Sequence, residues 1–324
     1  MPKISIGLPS KNMNNQKKYS GVVVPMMTPF TPQHTIDEAG VQSLVNHIIE
    51  SKAHPFILGT TGEAASISRR ERKRLVEETV KSANKRTLVY CGIPGNSLED
   101  ILAEGKLYQD LGADVLVATM PSYYPVDPDQ MLRYFSELAD RLRLPLVIYN
   151  IPSTTHLSIP IEVVDTLSLH PHIVGFKDSE KGVERITAAT RLWKDRQDFS
   201  YLLGWALMSK SGLEQGADGI VPSTGNLVPG VYQALYEATL AGNDKKAEVA
   251  VKKANRISEM YQKDRILSKS LSAFKAMLSA YNLCGPDVLP PLYRNEAQVE
   301  KELIQNVMQE FGDLNNINSI QNDQ

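Results

Sequence analysis

Apolar positions along this chain fall into two alternating arrangements. Eight short runs, at 22–27, 55–59, 87–92, 114–120, 146–150, 173–177, 201–204 and 219–222, are apolar without a helical period. Runs of this length read as strands buried on both faces, and such strands belong to parallel sheets under helices. Between them lie stretches with helical spacing, at 38–51, 68–83, 98–111, 128–142, 160–167, 183–193 and 206–215. Strands and helices alternating in this way imply right-handed crossovers, and eight is the number of strands that closes a barrel. An open nucleotide-binding sheet would carry a glycine-rich phosphate loop after its first strand. Here the first run leads instead into Pro25-Met26-Met27-Thr28-Pro29-Phe30.

Four further helical patterns follow, at 228–241, 244–264, 268–282 and 295–310. One closes the barrel and the other three form an appendage. The expected fold class is therefore α/β: a (β/α)8 TIM barrel over residues 20–241 with a C-terminal three-helix appendage over 242–311. The polar, asparagine-rich ends, 1–19 and 312–324, are expected to be disordered tails.

Composition removes several function classes. The 324 residues suit one α/β barrel, and 42% hydrophobic against 22% charged residues is ordinary for a globular protein. A net charge of −2, with no basic stripe interleaved with aromatics, leaves nucleic acid an unexpected partner. The first twenty residues hold no apolar signal region, and nowhere is there a run of about 18 apolar residues, so no membrane association is expected and a cytoplasmic location is. The only cysteines, Cys91 and Cys284, offer neither a disulfide framework nor a Cys-x-x-Cys metal site, and read as small buried hydrophobes.

In such a barrel the active site is built at the carboxyl ends of the strands. The sixth run, His172-Ile173-Val174-Gly175-Phe176-Lys177-Asp178-Ser179, holds a lysine where apolar residues belong. Lys177 either ends the strand and pairs with Asp178 at the surface, or is desolvated inside the barrel, where burial favours its neutral, nucleophilic amine. After the second run comes Gly59-Thr60-Thr61-Gly62-Glu63, a turn whose exposed N–H and O–H donors also suit a carboxylate. Tyr123 and Tyr124 follow the fourth run, and Tyr149-Asn150-Ile151-Pro152 ends the fifth. Tyrosines at a barrel mouth can exchange protons with a substrate or simply sit with one apolar and one wet end.

Taken together and in this order, these motifs resemble the family of pyruvate-dependent class I aldolases and lyases that includes dihydrodipicolinate synthase, N-acetylneuraminate lyase, 2-keto-3-deoxygluconate aldolase and 4-hydroxy-2-oxoglutarate aldolase. The resemblance runs from about residue 20 to 294. It implies that Lys177 forms the Schiff base with a keto acid and that Tyr149 shuttles protons. It implies that Thr60 and Thr61 hold the pyruvyl carboxylate beside Gly59, with Thr60 also relaying a proton. Tyr124 would reach across a subunit boundary, so a homodimer or homotetramer is implied. No metal or organic cofactor is implied beyond the covalent imine itself, and the six histidines show no His-Glu-x-x-His spacing.

The chain departs from the family pattern where substrates are told apart. Thr154 stands where dihydrodipicolinate synthases carry an arginine for the second substrate's carboxylate, and a threonine cannot supply that bidentate fork. Trp205 and Ala206 follow Gly204 where neuraminate lyases carry acidic residues. Trp205 could wall the pocket or pack on a helix start. The run Gly219-Ile220-Val221-Pro222-Ser223-Thr224-Gly225-Asn226 brings hydroxyl and amide groups suited to a polyol tail. Gly204, Val221, Ser223 and Thr154 thus join Gly59 and Thr61 as expected substrate-binding positions. His156 could touch the distal end of the substrate or cap its loop, while His170 and His172 read as structural.

The leading expectation is a metal-independent, Schiff-base aldolase or lyase that cleaves or forms a 2-keto-3-deoxy sugar acid or 4-hydroxy-2-keto acid, with pyruvate and an aldehyde as its small-molecule partners. A dihydrodipicolinate synthase, condensing pyruvate with aspartate semialdehyde, is the second reading. A non-catalytic keto-acid sensor is the third.

Overall fold

The computed structural model describes residues 16–320. Its eight strands are β1 (Gly21–Pro25), β2 (His54–Ile57), β3 (Tyr90–Gly92), β4 (Val115–Thr119), β5 (Leu146–Asn150), β6 (Ile173–Asp178), β7 (Ser200–Leu203) and β8 (Gly219–Ile220). They form a closed barrel in sequence order, every neighbouring pair parallel, with β8 returning to β1 through Gly21 opposite Gly219. The expected TIM barrel is what the chain forms.

The absence of period-2 alternation in the strands has a direct cause. Val23, Phe56, Val117, Val147 and Leu202 fill the barrel interior, while Val22, Val24, Ile57, Leu116 and Ile148 pack outward against the helices. Both faces are therefore apolar.

The outer layer comprises α1 (Glu38–Glu50), α2 (Arg69–Ala83), α3 (Leu98–Asp110), α4 (Pro128–Leu142), a single turn α5 (Pro152–Thr155), α6 (Ile161–Leu167), α7 (Val183–Trp193), α8 (Ser209–Gln215) and α9 (Pro229–Leu240). Side chains mark several starts: Asp37 accepts from the Gly40 N–H and Ser68 from the Glu71 N–H. At α4, Asp127 and Gln130 form a reciprocal capping box with Pro128 in the first turn. The appendage comprises α10 (Asp244–Gln262), α11 (Leu267–Ser279) and α12 (Ala297–Phe311).

The ends correct the expectation of tails. Residues 1–15 and 321–324 lie outside the described residues, but 16–19 and 312–320 are built into the fold. Lys17 is buried, its ammonium 2.7 Å from Asp218 and within 2.9 Å of the Trp193 and Phe199 carbonyl oxygens. Leu314–Asn318 form a further helix, α13, capped by Asp313. Ile317 is fully buried, and the Asn318 side chain donates to the Leu227 carbonyl at 3.0 Å. Lys253 also donates to the Asn316 and Ser319 carbonyls, so a buried isoleucine and a few hydrogen bonds seat a segment whose composition is polar.

Candidate active site

Lys177 belongs to the buried alternative. It lies on β6 opposite Tyr149 of β5, and 5% of its surface is exposed. Its ammonium nitrogen is 3.6 Å from the centroid of the Tyr149 ring and 4.7 Å from that of Phe56. The two rings meet edge to face, with centroids 6.3 Å apart. Burial among aromatic groups lowers the lysine pKa from its ordinary value, and contact with Tyr149 opposes that shift only in part. Surface pairing with Asp178 is not formed. Asp178 is itself buried and bound to Arg185 of α7 and to the Asn150 amide, which donates at 2.8 Å. Burial raises the Asp178 pKa, with Arg185 opposing.

The Tyr149 hydroxyl lies 3.5 Å from that of Thr60, a long contact in which either group can donate. Thr60 is held by the turn after β2: the Glu63 N–H donates to the Thr60 carbonyl at 3.1 Å and the Ala64 N–H to the Gly59 carbonyl at 3.3 Å. Gly62 is required by space. A methyl group there would stand 2.8 Å from the Met26 carbonyl oxygen, at the end of β1, and the Thr28 hydroxyl donates to the Gly62 carbonyl at 2.7 Å.

A cavity of about 520 Å³ opens above Tyr149. Gly59, Thr60 and Thr154 line it, as do Asn96, Thr119 and Thr155. Thr61 follows Thr60 in the turn without lining the cavity. Lys177 is not in the wall either. It lies against two wall residues, Phe56 and Tyr149, whose rings stand between its amine and the cavity lining.

The other expected substrate positions stand outside this wall. Gly204 sits where β6 and β7 converge, its N–H donating to the Asp178 carbonyl at 2.7 Å, and a methyl group there would lie 2.2 Å from the Ser179 hydroxyl. Val221 is part of the barrel interior with Tyr149 and Leu202. Ser223 turns its hydroxyl to Tyr261 of α10, at 2.9 Å. Tyr123 and Tyr124 pack edge to face beyond β4 and are 78% and 73% exposed. His156 is exposed at the end of α5 in the left-handed region, and Trp205 packs half-buried against the core before a short 3₁₀ turn. His170 pairs with Asp140 at 3.1 Å, below the start of β6.

Three features were missed. Leu267, Ser268 and Leu271 of α11, with Leu292, form one side of the cavity, so the appendage is part of the site. Arg72 lines the cavity too, but its guanidinium is bound to Glu104 and to the Ala64 and Pro94 carbonyls. Asn150 and Asp178 link the two central strands directly beyond Tyr149 and Lys177, and Asn150 also accepts from the Ile159 N–H, tying down the loop after β5. The adjacent pairs Tyr-Asn and Lys-Asp were the available signal.

Among the described residues no group of three or more His, Cys, Asp or Glu side chains could hold a metal ion, and no helix is long and apolar enough to cross a membrane.

Residues 18–310 match the sequence model of the dihydrodipicolinate synthetase family. An uncharacterized DapA-like lyase of Thermococcus onnurineus is 30% identical over 293 residues, 90% of this chain and 98% of that protein. Among solved structures, the dihydrodipicolinate synthase of Bacteroides thetaiotaomicron superposes with a TM-score of 0.86 at 29% identity, over 91% of this chain and 99% of that one. YagE, a prophage protein of E. coli K12 solved in complex with pyruvate, superposes with a TM-score of 0.84 at 26% identity, over 90% and 98%.

Proposed function

The chain belongs to the dihydrodipicolinate synthetase family of lyases, and from that premise we propose that it is a Schiff-base aldolase acting on a 2-keto-3-deoxy sugar acid or 4-hydroxy-2-keto acid. The observation that carries the proposal is the setting of Lys177: a lysine buried in the barrel, its pKa lowered by desolvation, against Tyr149, whose hydroxyl meets Thr60.

Each step has a group to perform it. The neutral amine adds to the C2 carbonyl of the keto acid, and the resulting carbinolamine loses water to form the imine, with Tyr149 moving the proton between nitrogen and oxygen. Once protonated, the imine is an electron sink. Tyr149 takes the proton of the C4 hydroxyl, the C3–C4 bond breaks, its electron pair forms an enamine and the aldehyde departs. Protonation of C3 and hydrolysis of the imine release pyruvate and restore the lysine. Thr60 and Thr61 hold the carboxylate, and no metal takes part in any step.

The cavity wall favours a hydroxylated aldehyde. Thr154, Thr119 and Asn96 offer hydroxyl and amide groups, while the Thr155 hydroxyl is already held by the Ile151 and Leu157 backbone and the arginine in the wall by Glu104. The synthase reading needs a cation for the carboxylate of aspartate semialdehyde, and it draws its support from relatives named as synthases, the Bacteroides protein among them. The exposed Tyr123–Tyr124 pair supports the further proposal of a homodimer or homotetramer, with Tyr124 entering a neighbouring subunit.

The test is pyruvate release from a panel of 2-keto-3-deoxy sugar acids and 4-hydroxy-2-oxoglutarate, beside condensation of pyruvate with aspartate semialdehyde. Release from a sugar acid at the highest kcat/KM supports the proposal. Efficient condensation with the semialdehyde alone would replace it with the synthase.

A further inference from the structure

The turn carrying Thr60 and Thr61 ends in a residue that the chemistry above does not use. Glu63 lies in the left-handed region at φ 58°, where an ordinary residue is disfavoured by about 1 kcal/mol or more. Its carboxylate points away from solvent and meets Lys275 of α11 at 2.6 Å, both side chains being 0% exposed. The other carboxylate oxygen accepts from the Leu289 N–H at 2.9 Å. Lys275 in turn donates to the Asp287 carbonyl at 2.6 Å and stands 4.2 Å from the centroid of the Phe30 ring. Burial lowers the Lys275 pKa while Glu63 holds it up.

A fully buried ion pair is a poor way to gain stability, because desolvation of both charges offsets most of their attraction and a well-packed apolar pair often does as well. What this pair does provide is direction. Leu267, Leu271 and Lys275 follow one another at four-residue spacing, so they share one face of α11. Two of the three line the cavity and the third grips the end of the carboxylate turn. One helix face therefore sets both the apolar wall and the turn opposite it.

We propose that Glu63 and Lys275 are positioning residues: a buried brace through which the C-terminal appendage holds the Gly59–Glu63 turn in the conformation that presents Thr60 and Thr61 to the keto-acid carboxylate. The proposal rests on the assignment of those threonines to the carboxylate. It makes the appendage a determinant of keto-acid affinity rather than a cover for the barrel. The lysine amine, which does the covalent chemistry, is left untouched by the brace.

The test uses the full-length protein and the rate of borohydride trapping as a function of pyruvate concentration, for wild type, Lys275→Met, Glu63→Gln and the double variant. Circular dichroism and thermal melting report folding. In folded variants the half-saturating pyruvate concentration rises about tenfold, the worth of one well-placed hydrogen bond, while the maximal trapping rate stays within about twofold. If Lys275→Met unfolds by leaving Glu63 uncompensated, the double variant and Glu63→Gln, which keeps an acceptor for the Leu289 N–H, carry the same comparison. A folded variant with a lowered melting temperature and unchanged half-saturation would overturn the proposal, since a purely structural pair behaves in that way. Failure of the wild type to trap pyruvate at all would instead remove the Schiff-base reading beneath it.

Discussion

Replacing Tyr149 with phenylalanine separates the two things this residue does. The ring that faces the Lys177 ammonium at 3.6 Å and packs edge to face on Phe56 is kept, and only the hydroxyl is lost. That hydroxyl meets the Thr60 hydroxyl at 3.5 Å, near the limit of a hydrogen bond, and also interacts with the Lys177 amine. Its removal should therefore change the stability of the folded protein by only about 1–2 kcal/mol. Catalysis should respond very differently. A positioned general acid or base is worth about 10²–10⁴ in rate, which is about 3–5 kcal/mol of barrier. Tyr149→Phe should thus lose turnover by that factor, measured as pyruvate release under saturating keto acid, while its thermal melt stays close to that of wild type. Trapping of pyruvate on Lys177 should persist at a reduced rate, because the amine is intact. A variant within about tenfold of wild-type turnover would refute the assignment of proton transfer to this hydroxyl.

Three other outcomes follow from the geometry. Gly62→Ala forces a methyl group to 2.8 Å from the Met26 carbonyl oxygen, so it should destabilise by about 1–3 kcal/mol in denaturant melts and raise KM for the keto acid more than it lowers kcat. Lys177 carries a lowered pKa, so between that value and the ordinary lysine value the unfolded chain binds the extra proton; wild-type stability must rise with pH there. Lys177→Met should accordingly be the more stable protein near neutrality and lose that advantage as pH approaches the ordinary lysine range, a trend readable from paired urea titrations. On the proposal that Tyr124 enters a neighbouring subunit, replacing both Tyr123 and Tyr124 with alanine should lower the mass found in analytical ultracentrifugation without altering the circular dichroism, because both side chains project outward; an unchanged mass would remove that proposal.

Much of the barrel was legible because its strands are short and apolar on both faces. A segment such as Leu146–Asn150 can hardly be anything else between two amphipathic helices. Lys177 stood out for the same reason, as a single violation of an apolar run, but the run alone left surface pairing and burial both open. Its neighbours were harder to read, since the wall of a cavity depends on which side of a strand end each residue faces, and one residue of register exchanges the two sides. Val221 and Ser223 follow β8 as expected, yet one fills the barrel interior and the other bonds Tyr261. Lys275 was illegible for a different reason. In a helix, one lysine among apolar residues looks like a solvated side chain, and it is partners outside the helix, Glu63 and the Asp287 carbonyl, that make its burial tolerable. The end of the chain shows the same limit: burial of Ile317 is a property of the surface it lands on.

The most direct test of the central claim is the mass of the intact protein after incubation with pyruvate and borohydride, followed by peptide mapping. Borohydride reduces an imine to a stable secondary amine. One reduced pyruvate per chain, on the peptide that holds Lys177 and absent from Lys177→Ala, is the expected result. No adduct, or an adduct on another lysine, would contradict the mechanism and leave a keto-acid-binding protein that keeps the shape of the site without its chemistry.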